Sequence, residues 1–116
     1  MNKTGLALGL GVAFAFAGAA FAADKSVTGT LEDSFCFVTM GAHGADHKKC
    51  ATECAKKGIP VALVEKGSDN IYVLLPPKND HALPDDVVNR MEDEVTVSGD
   101  AYQKGGVNYL TVKSVK

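Results

Sequence analysis

Residues 47 to 54 read His-Lys-Lys-Cys-Ala-Thr-Glu-Cys, and the chain's remaining cysteine, Cys36, lies a short way upstream. On a helix, positions 47, 50 and 54 fall near one line, because residues three and four apart are neighbours on the surface. His47, Cys50 and Cys54 would then form a single stripe of soft and borderline metal donors. Cys36 is the natural fourth ligand, completing a Cys3His tetrahedron of the kind that holds zinc. Met40 and His43, in the intervening stretch, are further donors within reach. Thiolates with a thioether favour Cu(I), whereas thiolates with imidazole equally suit Zn(II).

The same residues admit two other readings. Three is an odd number of cysteines, and in an oxidising compartment a bridge would leave one thiol over. Cys36 joined to Cys50 or Cys54 would close a loop of about 15 to 19 residues, worth about 3 kcal/mol in the chain-entropy account. The third reading is packing alone, since cysteine behaves as a small buried hydrophobe. On that view Cys50, Ala51, Cys54 and Ala55 form the core-facing side of a helix whose wet side is lysine-rich. The spacing is not Cys-x-x-Cys, so neither a thioredoxin-like active site nor, with a following histidine, covalent haem attachment is indicated.

Other chemistry-bearing residues point to surface roles. His81 sits in a polar loop, and Asp85-Asp86 and Glu92-Asp93-Glu94 read as solvated charge runs. Calcium loops need Asp-x-Asp-x-Asp-Gly, which is absent from the sequence. Tyr72, Tyr102 and Tyr109 are too scattered for a nucleic-acid stacking platform. There is no Ser/His/Asp set, phosphate loop or convincing carboxylate pair, so no catalytic residue is expected and an enzyme is not.

The N-terminus speaks to compartment. One lysine, an uncharged run from Gly5 to Ala20 and an Ala-Phe-Ala ending at Ala22 make a secretory signal peptide, with cleavage expected after Ala22. Residues 1–22 would be the signal and 23–116 a single domain, periplasmic or secreted, with no membrane attachment after cleavage. Removing Lys3 takes the formal charge from −2 to −3. A mildly acidic domain is a poor nucleic-acid ligand, because phosphate contacts need clustered cations.

The elements that must position the donors follow from periodicity. Ser26–Glu32 alternates as a half-buried strand, Gly29 suggests a bend, and the parity of Phe35 and Phe37 extends that strand to Val38. Cys36 would thus end the first strand. A Gly-containing loop follows, then one helix over 47–57, capped by Asp46 and stopped by Gly58 and Pro60. Pro60–Glu65 and Asn70–Leu75 form a hairpin, residues 85–91 a short helix, and Glu94–Gly99 and Val107–Val115 the last strands around a turn at 103–106. The expected fold is mainly β: a small five-stranded OB-like barrel with one helix after the first strand. A β-sandwich with a lateral helix is the alternative.

Residues 35–64 resemble a segment of small secreted bacterial OB-like proteins. Their pattern is a cysteine at the first strand's end, a His-x-x-Cys-x-x-x-Cys run, then Gly-x-Pro and an apolar strand. Here Cys36, His47, Cys50, Cys54, Gly58 and Pro60 carry it. The resemblance implies a metal-binding or thiol role. The leading expectation is a small exported protein that binds copper or zinc through Cys36, His47, Cys50 and Cys54. It would act in metal handling or as an accessory to a redox system, with a protein partner. A disulfide-stapled or thiol-redox binding module is the alternative.

Overall fold

A computed structural model describes residues 22–116; the signal-peptide assignment therefore lies outside the described residues except for Ala22. The described chain is a closed five-stranded barrel with one added strand and few helices. Its order is β1 (Ala23–Asp33), α1 (Ser34–Met40), a 3-10 turn (Ala45–His47), α2 (Lys48–Lys56), β2 (Val61–Glu65) and β3 (Ile71–Leu75), then α3 (Asp85–Val88), β4 (Glu94–Lys104), β5 (Val107–Thr111) and β6 (Ser114–Val115). Strands are arranged β1-β2-β3-β5-β4, and a β1–β4 pairing closes the ring, with β6 against β4. All pairings are antiparallel except β3 with β5. The expected OB-like barrel is present, and the sandwich alternative is not.

Two long strands make closure work. The first part of β1 pairs with β4, from Ala23↔Ala101 to Thr30↔Glu94, and its end pairs with β2, from Gly29↔Glu65 to Asp33↔Val61. Gly29 stands where the partners change. A Cβ there would collide with the Val64 carbonyl, so only glycine admits the neighbouring backbone. Gly99 of β4 plays the same part against the Thr111 carbonyl. Alternation places Val27, Leu31, Val95, Val97, Leu63 and Leu110 inside, each almost fully buried. Ala51 of α2, Val87 of α3 and the nearby Met91 extend this core.

Three local expectations are corrected. β1 stops at Asp33, and residues 34–40 are helical. The Asp33 side chain accepts hydrogen bonds from the Phe35 and Cys36 amides, and Gly41, left-handed at φ 66°, ends the helix. Cys36 thus sits on a helix, and two helices follow the first strand instead of one. Secondly, α2 starts at Lys48, and neither Asp46 nor the N-cap residue His47 makes a side-chain cap there. Its end is as expected: Gly58 is left-handed, and the Ile59 amide reaches back to the Cys54 carbonyl at 3.1 Å. Thirdly, the expected last strand, 107–115, breaks after Thr111 to give the separate β6.

Candidate metal centre

Each donor reaches the centre by a different local device. The Asp33 cap turns the chain straight from β1 into α1, which puts Cys36 on the first turn of a helix with its side chain buried. Gly44, at φ 98°, opens the 3-10 turn that carries His47. α2 begins at once, so Cys50 stands one turn on from His47. The ligand atoms of Cys36, His47 and Cys50 all lie within 4.8 Å of one another. Around zinc, with bonds of about 2.3 Å to sulfur and 2.0 Å to nitrogen, such atoms are about 3.5–3.8 Å apart. Small side-chain rotations close that difference, so the three residues are close enough to bind one metal ion. His47 Nε2 is buried and has no hydrogen-bond partner. An unpaired buried nitrogen is costly, and a metal bond would satisfy it.

Cys54 is not within this group of three. Its thiol faces the Asp33 carboxylate and the Cys50 thiol, one turn further along α2. Cys36 faces the same carboxylate and the same Cys50 thiol. Cys36 and Cys54 therefore share two neighbours, the Cys50 thiol and the Asp33 carboxylate. The packing reading expected Cys50 and Cys54 to face the core. Ala51 is the fully buried residue of α2, whereas Cys50 is exposed and Cys54 half-buried. All three cysteines are free thiols, with no Cys36–Cys50 or Cys36–Cys54 bridge. Met40 is 66% exposed on α1, and His43 is exposed on the loop outside the converging group. His81 is exposed, its ring nitrogen Nδ1 2.9 Å from the Asn79 carbonyl.

Asp33 governs the electrostatics of the free thiols. Its hydrogen bond to Cys36, then burial, pushes that thiol up to about 11. The same two causes push Cys54 up to about 11. Burial by itself would raise the Asp33 carboxyl; the hydrogen bonds from both thiols and from the Cys36 and Phe35 amides outweigh it and hold the group below the usual carboxylate value. Without metal, Cys36 and Cys54 are therefore neutral thiols at ordinary pH. A coordinated ion would reverse this, because a metal-bound thiol loses its proton outright.

Sequence reasoning missed two acids here. Asp33 shares the inward parity of Val27 and Leu31, a carboxylate where a core residue belongs, and that was its signal. Glu92 belongs by sequence to a solvated charge run, yet its Oε1 is buried, while its neighbours pair on the surface as Lys48–Asp93 at 2.9 Å and Lys66–Glu94 at 3.1 Å. Two surface grooves of about 550 Å3 lie elsewhere, one against Pro76, His81 and Tyr102, the other between Ile59, Leu74, Leu83 and Val88. No cysteine lines either groove. Among the described residues, no helix is long and apolar enough to cross a membrane. No family model, curated protein or solved structure matches this chain.

Proposed function

We propose that this is a small exported protein that binds one transition-metal ion, Cu(I) or Zn(II), through Cys36, His47 and Cys50, with Cys54 as the fourth ligand. The observation that carries the reading is the convergence of Cys36, from a different helix, on the pair His47 and Cys50. Two thiolates and an imidazole form a donor set for soft and borderline ions and a poor one for Mg(II) or Ca(II). The exposed edge at Cys50 gives an incoming ligand a way to reach the ion, which suits a protein that receives and passes on metal in metal handling or beside a redox system. The role is binding and transfer to a protein partner, not catalysis.

The test is the metal content of the protein recovered from the periplasm, with thiols counted under anaerobic conditions before and after chelation. The expected result is one equivalent of copper or zinc, three reactive thiols after stripping, and loss of stoichiometric metal in Cys36→Ser and His47→Ala. Metal removal should also lower Tm, because an ion bound only by the folded state stabilises it. Metal-free protein with one reactive thiol before reduction overturns the proposal in favour of a thiol-redox or disulfide-stapled module. The contact of Cys50 with both other thiols is the observation that favours that second reading.

A further inference from the structure

Glu32 is 4% exposed, and its Oε2 has no hydrogen-bond partner. Its neighbour Glu92 also has a buried, unpartnered oxygen, Oε1, while the other, Oε2, accepts the Gly44 amide at 2.9 Å. Two neighbouring carboxylates, one buried and the other half-buried with one oxygen shut off from water, cannot both ionise cheaply. One retained proton resolves this, since a protonated carboxyl donates a hydrogen bond that a carboxylate lacks. The ion pairs at this corner use other acids, Asp93 with Lys48 and Glu94 with Lys66.

Glu92 is held in place by the main chain. Its amide donates to the Leu31 carbonyl at 2.7 Å, and the Leu31 amide donates to the Asp93 carbonyl at 3.2 Å. Its backbone is left-handed, at φ 70°. That conformation is unfavourable for a non-glycine residue, so the surrounding bonds impose it. On the far side, Gly44 opens the turn of the site, and its carbonyl accepts the His47 amide at 2.9 Å. Hydrogen bonds thus link Glu92 through Gly44 to His47, and the Glu32 carboxyl lies against Glu92 at the head of that chain.

We propose that Glu32 and Glu92 form a shared-proton latch that ties the Gly41–His47 loop to the barrel and releases it when the proton is lost. Burial first, and the Glu92 hydrogen bond second, push Glu32 up to about 8, with the charges of Glu92 and Asp33 acting in the same direction. Folding therefore raises the proton affinity of Glu32. The stability it contributes is whole below about 4.5, falls as pH rises, and is gone once pH passes about 8. For a metal held by His47 the consequence is distinctive. Thiolate sites ordinarily tighten as pH rises, because their ligands shed protons; here the loop carrying His47 loosens over the same range. That last consequence rests on the metal reading, but the latch does not.

The experiment is an NMR titration of the metal-free chain from pH 6 to 9.5, following the Gly44 amide shift and its protection from exchange. In the wild type the shift should move with a midpoint near 8, and the protection factor should drop at least tenfold across it. Glu32→Gln supplies a permanent amide donor to Glu92, so both changes should vanish. Glu92→Gln should abolish them as well, and serves if the first variant does not fold. A Gly44 amide that does not titrate in the folded wild type overturns the latch, as does a transition that survives in either variant. The readout needs no metal, so its failure is distinct from failure of the metal reading.

Discussion

Asp33 caps α1 through Oδ1, which accepts the Phe35 amide at 3.0 Å, and the thiols of Cys36 and Cys54 lie against the same carboxylate. Asp33→Asn separates the two roles, since asparagine caps helices as well as aspartate but carries no charge. The expected outcome is an intact fold in which Cys36 and Cys54 ionise more easily. Alkylation of both at pH 9 in metal-free protein should accelerate on the order of tenfold, as the thiolate fraction rises. Site-resolved mass spectrometry reads the rates, and unchanged rates would show that burial alone sets these thiols. The same shifts have a stability consequence. Both thiols bind protons more tightly in the folded state, so their contribution is whole below about 9 and is lost as pH rises through about 11. The alkaline fall in Tm should be smaller in Cys54→Ser than in the wild type. At this scale the histidine and cysteines were legible from type and spacing. Asp33 was not, because its carboxylate acquires a role only once Cys36 and Cys54 arrive from elements that are separate in sequence.

At the scale of elements, α1 is the lesson. Phe35 and Phe37 continue the parity of Leu31, so the strand pattern runs on; but Phe35 is 61% exposed and Val38 69%, on a helix that leaves them in water. The decisive signal was short: Asp33-Ser34 as a cap and Gly41 as a stop, seven helical residues apart. Alternation over so few residues cannot distinguish a strand's end from a helix carrying an odd pair of aromatic residues. The hairpin β2–β3 and helix α2 were legible because each is bounded by glycine or proline and repeats its period long enough to be counted. The glycines inside strands yield a prediction. Gly99→Ala drives a methyl group into the Thr111 carbonyl, and Gly29→Ala drives one into that of Val64. Each should cost about 1–3 kcal/mol or more, because backbone must move. Urea denaturation measures it, and an unchanged midpoint in both would remove the close-approach account of barrel closure.

For the whole molecule, closure depends on pairings between distant segments: β1 with β4, and the parallel β3 with β5. The segment between β3 and β4 adds Val87 and Met91 to the core, both fully buried. Met91→Ala should cost about 2–5 kcal/mol, with the fold retained, as a cavity opens in the core; a smaller loss in a urea titration would mean the neighbouring side chains collapse around the gap. The amino-acid sequence by itself determined the mainly β class, the small barrel and the donor types, because period, turn residues and side-chain chemistry are local properties. Only the tertiary structure decided that Cys36 stands on a helix where it converges with His47 and Cys50, that Asp33 lies against both Cys36 and Cys54, and that Glu32 meets Glu92. These meetings are contacts between separate elements, set by how the barrel closes and where the helices pack. A difference of a few ångströms in that packing decides which donors converge with His47 and which thiols share the Asp33 carboxylate, and spacing along the chain does not fix distances that small.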